Sequence, residues 1–124
     1  MCLDTITAKN RNLSGTGWKV FTCIYNGYST PCYGWGIHAS GKWIENFKSK
    51  IYYNKIGALN YPSGFHIFKK KSDAEWFLIW LYRGTTGVNL LIKKVLYRQA
   101  HTYGTQFIAS HAKVIVANEM KILN

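Results

Sequence analysis

The sequence SDAEWFLIWLYRG occupies residues 72–84 and gives the clearest local signal in the chain. Ser72 followed three residues later by Glu75 is the capping-box pattern with which helices begin. Gly84 is the residue type with which they often end. We therefore predict a helix over about residues 73–83. Its body, Trp76–Tyr82, is apolar on every side, so we expect a curved sheet or a partner chain to cover it on nearly all sides.

Segments with strand-like patterns lie on both sides of this predicted helix. The predicted strands are Trp18–Tyr25, which follows a loop at residues 10–17, then Phe65–Phe68, Leu90–Ala100 and Ala112–Leu123. This order, in which strands precede and follow a single helix, is typical of α+β folds and not of alternating βαβ units. We therefore predict a single compact α+β domain over residues 1–124, with a mostly antiparallel, curved sheet packed around one main hydrophobic helix.

Three connecting segments carry weaker signals. Residues 26–42 are rich in glycine and predict a hairpin followed by an irregular connection. The segment Trp43–Tyr53 fits either a helix or a strand. Tyr61–Gly64 reads YPSG and predicts a turn, because proline presets one backbone angle and glycine permits another.

The charge of the chain indicates the class of its partners. It carries 16 Lys and Arg against 5 Asp and Glu, a net charge of +11, while 48% apolar residues exclude a disordered chain. A folded body this positive attracts phosphates, acidic proteins or anionic lipid. Phosphate partners fit best, because nine Tyr and five Trp offer surfaces on which bases can stack. The alternative is solubility charge, with the aromatic residues filling the core.

The same sequence argues against a membrane span, a metal site and a secreted protein. The longest apolar run, Trp76–Tyr82, has seven residues, whereas a spanning helix needs ~20. Cys2, Cys23 and Cys32 contain no C-x-x-C pair, and the first residues lack the pattern of a signal peptide. We therefore expect no membrane partner, no metal, no cofactor and a cytoplasmic location.

Several basic residues are candidates for holding phosphate. Lys69, Lys70 and Lys71 precede the predicted helix, whose first amides would add to an anion site, although a solvated turn is the alternative. Lys94, Leu96 and Arg98 alternate on one face of a predicted strand, opposite Lys93, Val95 and Tyr97. Cations on both faces of a central strand favour an anion site inside the fold. Arg98 is the best phosphate fork, because its guanidinium group is bidentate.

Aromatic residues and one histidine complete the predicted site. Trp35, Trp43, Tyr61 and Tyr103 are candidate base-stacking surfaces, and an ordinary place in the core is the alternative for each. His66 is either a ligand contact or a core histidine. The predicted ligand-binding set is Lys19, Trp43, Tyr61, His66, Lys69, Lys70, Lys71, Arg98 and Tyr103.

Catalysis has little support in the sequence. Acid–base chemistry needs titratable groups held close together, and five acids are few for a hydrolase or a two-metal nuclease. Asp73 and Glu75 already have a predicted role in the helix. Cys23 or Cys32 could pair with a histidine as a nucleophile, but no signature surrounds such a pair. We predict that the chain is not an enzyme.

Five segments resemble a family of small bacteriophage and prophage proteins. They are Met1–Asp4, Gly17–Phe21 (GWKVF), Tyr61–Phe68 (YPSGFHIF), Asp73–Glu75 and Val114–Met120 (VIVANEM). The resemblance implies a phage origin but no particular activity. Phage genes of this size commonly encode factors that act against host defence. We therefore expect a phage counter-defence protein that sequesters a nucleotide-type ligand in a basic, aromatic-lined pocket.

A second resemblance concerns Gly64–Phe68 followed by Asp73–Trp76. This part is similar to the glycine-aromatic strand and following helix of ADP-ribosyltransferase-type folds. Those enzymes hold NAD with a His or Arg on the first strand and use a late Glu. Here the first strand has Lys19-Val20-Phe21, and Glu119 corresponds to the late acid. The resemblance implies a nucleotide pocket on such a fold.

Three alternatives stay open at this point. The chain could inhibit a host effector by binding nucleic acid or a nucleoprotein through an extended basic face. It could be a degenerate ADP-ribosyltransferase-like enzyme. Its helix, Trp76–Tyr82, could instead dock on a host defence protein or form a homodimer.

Overall fold

A computed structural model of the chain describes residues 3–24, 27–29, 38–45, 61, 64–84, 89–107 and 111–123. Within these residues, six strands and one helix occur. In chain order they are β1 (Thr5–Ile24), β2 (Gly27–Ser29), β3 (Trp43–Glu45), β4 (Phe65–Phe68), α1 (Lys71–Gly84), β5 (Leu90–Phe107) and β6 (His111–Ile122). This order confirms the α+β class, with far more strand than helix.

Strand β1 differs from its prediction. Residues 10–17 are not a loop, because β1 runs without a break from Thr5 to Ile24. The polar, glycine-containing segment stays in the sheet because it pairs with β5, and register shifts between Lys9 and Gly15 take up the irregular backbone. The alternation that defines a strand in a sequence is lost at such bulges. Residue 25, the predicted end of the strand, lies outside the described residues.

Helix α1 confirms the predicted helix but starts earlier. The backbone N–H of Ala74 donates to the carbonyl of Lys70 at 3.3 Å, so Lys70 accepts the first helical hydrogen bond. The helix therefore begins at Lys71, and Ser72 lies in its first turn. The prediction that Ser72 caps the helix is wrong, although the predicted end at Gly84 agrees with the structure.

The strands form one sheet whose pairings, among the described residues, are all antiparallel. The order is β2-β1-β4-β6-β3, and β5 pairs with both β1 and β6. Strands β1, β4, β6 and β5 therefore close into a ring, which requires a curved sheet. The predicted strand Phe65–Phe68 is confirmed, and its four residues are all buried.

Glycine permits the close approach of β1 to β4. The two strands meet where Trp18 pairs with Phe68, one residue beyond Gly17. A Cβ atom on Gly17 would contact the side chain of Ile67 and lie 2.7 Å from the carbonyl oxygen of Phe68. A side chain at this position would therefore push β1 and β4 apart.

Two apolar clusters occupy the two faces of the sheet. One cluster includes Val20, Phe68 and Val114 together with Phe77 of the helix, and we call this face the helix-side face. The other contains residues that alternate with these along the strands, such as Phe21 and Ile67. We call it the far face. Both faces are apolar at their centres, so polar binding residues are excluded from these positions.

The helix contacts the sheet along one side. Ala74, Phe77 and Leu81 are buried at the i, i+3 and i+7 spacing of one helical stripe. On the opposite side Trp76 is 51% exposed, Ile79 44% and Trp80 59%. Within the single chain, the expectation that the helix is covered on nearly all sides is therefore wrong. Cover by a partner chain stays a prediction.

Parts of the weaker predictions fall outside the described residues. This holds for residues 46–53 of the ambiguous segment and for residues 62–63 of the predicted turn. The described residues 27–29 form β2, and Tyr28 forms a bridge with His38, as a hairpin requires. In the described ranges, no helix is long and apolar enough to cross a membrane.

Candidate anion-binding surface

Trp18 lies close to two ammonium groups on the helix-side face. It pairs across the sheet with Lys94 of β5, and Lys71 is the first residue of α1. The Lys71 Nζ atom is 5.2 Å from the centroid of the Trp18 ring, and the Lys94 Nζ atom is 5.8 Å from it. Both lysines are exposed and the tryptophan is half-buried. We call Trp18, Lys71 and Lys94 the Trp18 cluster.

The predicted lysine triplet adjoins this cluster. Lys69 and Lys70 are exposed and stand directly before α1, beside its first backbone amides. Those amides carry partial positive charge and favour an anion at the helix start. Two acids, Asp73 and Glu75, belong to the same end of the helix, and Asp73 is buried there.

A second cation and aromatic pair lies further along the same face. The guanidinium carbon of Arg98 is 3.9 Å from the centroid of the Trp43 ring, so the two groups stack. Arg98 also donates from Nε to Glu119, and from Nη2 to the second Glu119 oxygen at 3.4 Å. Glu119 is buried, whereas the side chain of Arg98 is partly exposed. We call Trp43, Arg98 and Glu119 the Arg98 cluster.

The buried carboxylate fixes the orientation of Arg98 and offsets part of its charge. Glu45 is exposed and lies across from Glu119 in the pairing of β3 with β6. This end of the surface therefore has a smaller excess of positive charge than the Trp18 end. A ligand here would meet a guanidinium group held rigidly against an aromatic ring.

The predicted row of Lys94, Leu96 and Arg98 connects the two clusters. Val95 and Tyr97, which alternate with the row, belong to the far-face cluster, so the row lies on the helix-side face. It is partly exposed, whereas the positions behind it are buried and apolar. The row therefore lies on the surface, and the anion site that we expected inside the fold is not found along β5. Lys93 turns away from the row and stands 5.5 Å from the ring of Tyr28.

Lys19 is not part of either cluster. Its neighbours Trp18 and Val20 are on the helix-side face, so Lys19 faces the other way and is only 6% exposed. Its ammonium group donates a hydrogen bond to the backbone carbonyl of His66 at 2.9 Å. This hydrogen bond joins β1 to β4, so the ammonium group of Lys19 serves the fold.

Tyr61 and His66 form a buried hydrogen-bond chain. The backbone N–H of Leu3 donates to the Tyr61 hydroxyl at 2.9 Å, and that hydroxyl is 2.9 Å from His66 Nε2. The Nδ1 atom of His66 is 3.2 Å from the carbonyl of Gly64, which can only accept, so Nδ1 carries the proton. Nε2 then accepts from Tyr61.

The same surroundings keep His66 neutral. Burial, and after it the positive charge of Lys19, lower the pKa of His66 to about 3. Tyr61 is 1% exposed, so a base could stack on it only if the N-terminal segment moved away. These contacts favour the core alternative for both residues over a ligand contact.

Tyr103 lies apart from the clusters. It packs against the far-face cluster, five residues beyond Arg98 on β5. Between them Gln99 has a positive φ of 56°, which marks an irregular backbone. The structure thus brings Lys71 to Trp18, with Lys69 and Lys70 directly before it in the chain, and Trp43 to Arg98. It leaves Lys19, Tyr61, His66 and Tyr103 elsewhere. Trp35 lies outside the described residues.

The sequence did not indicate Trp18 as a site residue. Trp18 and Lys94 are far apart in the chain, and only the register of β1 with β5 makes them neighbours. The sequence of a single chain contains no signal for that register. The alternation of Lys94 with Arg98 is local, which is why the row could be predicted.

The described residues contain little that could catalyse a reaction or hold a metal. Among them, no group of three His, Cys, Asp or Glu residues is close enough to bind a metal ion. Cys23 is exposed and forms no disulfide. Glu119, the late acid in the ADP-ribosyltransferase resemblance, has its carboxylate bound by Arg98.

Comparisons with known proteins add no relative. No protein-family model, no curated protein and no solved structure matches the chain. The phage family and the ADP-ribosyltransferase-type fold therefore stay expectations from the sequence. The function has to be argued from the surface itself.

Proposed function

We propose that the chain binds a nucleotide-type anionic ligand at the Trp18 cluster and holds it without chemical change. The observation that carries this proposal is the position of two exposed ammonium groups within 6 Å of the Trp18 ring. In this arrangement the lysines neutralise phosphate while the indole stacks on a base. Lys69 and Lys70 add charge at the adjoining helix start.

The distribution of ion pairs supports this proposal. All five acids of the chain lie in the described residues, and within those residues the salt bridge of Glu119 to Arg98 is the one that forms. Lys71 and Lys94 therefore keep their charge uncompensated by a carboxylate in direct contact. Exposed, unpaired cations next to an aromatic ring are well suited to an anionic, planar ligand.

The biological role that we propose is sequestration of a host signalling nucleotide by a phage counter-defence protein in the cytoplasm. Its support is the resemblance of Gly17–Phe21, Tyr61–Phe68 and Val114–Met120 to phage proteins. A binder without catalysis fits the low number of acids, because two common means of hydrolysis, paired carboxylates and metal ions held by carboxylates, both need acids.

Calorimetric titration tests the proposal. The panel contains ADP-ribose, cyclic dinucleotides, ATP and inorganic phosphate. We expect a nucleotide to bind more tightly than phosphate alone, since Trp18 adds stacking. Trp18→Ala should weaken that binding at least about fivefold, because stacking contributes ~1–3 kcal/mol per base. Lys71→Gln and Lys94→Gln should each weaken it as well.

Two matched variants serve as controls. Trp80→Ala removes another exposed tryptophan, and Lys42→Gln removes another exposed lysine, both outside the Trp18 cluster. Neither should change the affinity by more than about twofold. Folded wild-type protein that binds no member of the panel would contradict the proposal.

A second candidate function is docking through the helix, and the exposed side chains of Trp76, Ile79 and Trp80 favour it. Exposed apolar patches mark interfaces with other proteins or with a second copy. Light scattering distinguishes the two, because a homodimer through Trp76–Tyr82 doubles the mass and is lost in Trp80→Glu. A monomer at all concentrations would contradict the homodimer.

A further inference from the structure

The Trp18 cluster and the Arg98 cluster lie on one face of the sheet, and the distance between them indicates the size of a ligand that contacts both. Trp18 is on β1 and Trp43 on β3, with β5 and β6 between them. Trp18 is level with Lys94, and Trp43 is level with Leu96 through Lys121. Three strand spacings of ~4.8 Å, with an offset of two residues (~7 Å) along the strands, place the two positions about 16 Å apart. A single base cannot stack on both.

The surface between the two rings also carries positive charge. Leu96 of β5 pairs with Lys121 of β6, and Lys121 pairs with Trp43. Lys94, Lys121 and Arg98 therefore lie between or beside the aromatic groups on the helix-side face. Leu96 and Lys121 are half-buried, and Lys94 is exposed.

We propose that the surface, besides taking a single nucleotide at the Trp18 cluster, also binds a single-stranded nucleic acid that crosses the sheet from the Trp18 cluster to the Arg98 cluster. This inference rests on the proposed function, because it uses the same Trp18 cluster. Cations that follow the phosphates, with aromatic side chains on which bases stack, are the means by which proteins bind single strands. At ~3.4 Å for each stacked base, about 16 Å corresponds to about five bases.

The arrangement favours a single strand over a duplex. Both tryptophan rings lie on a sheet surface, where Trp43 is 37% exposed and Trp18 half-buried. The bases of a duplex are stacked on one another, so their faces cannot reach rings in this position. Unpaired bases present those faces directly.

The carboxylates on this face repel phosphate and therefore restrict where the nucleic acid can lie. Glu119 is bonded to Arg98, whereas Glu45 is exposed beside Trp43 on β3 and forms no ion pair with a cation of the described residues. A phosphate beside Trp43 would meet the repulsion of Glu45. Glu45→Gln should therefore increase the affinity for a single strand about twofold or more, while it leaves binding at Trp18 unchanged.

Fluorescence anisotropy with labelled oligothymidylates tests the inference. The probes are a mononucleotide, single strands of increasing length up to twelve residues, and a duplex of the same length. We expect affinity to rise with length up to about four to six nucleotides, and the duplex to bind at least about tenfold more weakly than the single strand. Trp18→Ala and Trp43→Ala should each weaken binding of the longest strand at least about fivefold.

The mononucleotide separates this inference from the function on which it rests. Its binding should respond to Trp18→Ala but not to Trp43→Ala, and Trp80→Ala should affect neither ligand. Lys121→Gln gives a second test of the path if Trp43→Ala does not fold. A mononucleotide that binds as tightly as the longest strand, or a duplex that binds as well, overturns the inference and leaves the proposed function standing. The inference is also overturned if neither Trp43→Ala nor Lys121→Gln changes the affinity for the oligonucleotide. If no ligand binds at all, both the inference and the proposed function are overturned.

Discussion

Lys94 and Lys19 lie on neighbouring strands, but their ammonium groups have different surroundings. Lys94 is exposed beside the ring of Trp18, whereas Lys19 is buried and bonds the carbonyl of His66. A buried ammonium group loses its hydration and is retained only where hydrogen bonds replace it. Lys19 therefore contributes to the join between β1 and β4, and Lys94 contributes to the binding surface.

This difference shows what the sequence could and could not predict at the level of single residues. Alternation along β1 predicts that Lys19 shares a face with Phe21 and that Trp18 shares one with Val20, as observed. Alternation does not indicate which face is covered at that position. The charge of Lys19 therefore predicts a ligand contact that the structure does not have, and the pattern along β1 does not predict Trp18 as a site residue.

His66 gives a prediction at the residue scale about pH. The unfolded chain takes up a proton on His66 near pH 6.5, whereas the folded chain, with a pKa of about 3, does not until far lower pH. Between these values the unfolded state binds more protons, so the free energy of unfolding falls as the pH falls. The slope from this group is ~1.4 kcal/mol per pH unit.

Denaturant unfolding between pH 7 and pH 4.5 measures this slope. The variant His66→Gln cannot titrate at this position, so its stability should fall less steeply with decreasing pH, whatever its stability at pH 7. In the wild type, the NMR signals of the His66 imidazole should not titrate above about pH 5. Equal slopes in the two proteins would show that His66 is not held neutral by the fold.

At the scale of elements, β1 and α1 were predicted with different success. The helix could be predicted because its apolar body and Gly84 are local signals, although the capping-box pattern at Ser72 puts its start about two residues late. The first half of β1 was missed because residues 10–17 look like a loop until β5 pairs with them. The side of α1 that stays exposed also could not be predicted, since its body is apolar all round.

Gly17 allows a prediction about the closure of the ring of strands. Gly17→Ala places a methyl group against Ile67 and the carbonyl of Phe68, so β1 and β4 must separate. We expect a loss of ~1–3 kcal/mol in the free energy of unfolding, as in other overpacked sites. The control is Ser14→Ala at an exposed position of the same strand, which should change stability by less than ~0.5 kcal/mol. Chemical denaturation measures both, and equal stabilities would contradict the close approach.

The two sides of α1 give a second prediction at this scale. Phe77 is buried between Phe68 and Trp80, with ring centroids 5.5 Å and 5.7 Å away. Phe77→Ala should lower the free energy of unfolding by ~3–5 kcal/mol, because it leaves a cavity under the helix. Ile79→Ala, on the exposed side of the same helix, should cost less than about 1 kcal/mol. Thermal unfolding compares them, and a larger loss for Ile79→Ala would indicate that this side is covered in solution.

At the scale of the whole molecule, the charge of +11 separates into parts with different roles. Lys19 is buried, Arg98 is paired with Glu119, and Lys69, Lys70, Lys71 and Lys94 remain exposed near Trp18. The sequence predicted a positive surface and one of its rows. β1, β5 and α1 come together around Trp18 through the pairing of strands that are far apart in the chain. The composition of the chain does not predict that pairing.

The salt dependence of binding tests the account most directly. Single-strand affinity falls with salt by a slope of about 0.7 on logarithmic axes for each phosphate that a cation neutralises. We compare wild type with the double variant Lys71→Gln/Lys94→Gln, using one labelled oligothymidylate over a range of salt concentrations. The account predicts that wild-type affinity falls steeply with salt and that the double variant flattens the slope by about 1.4. The same slope in both proteins would contradict an anion site at the Trp18 cluster, and no binding of this strand by folded wild type would contradict its path across the sheet.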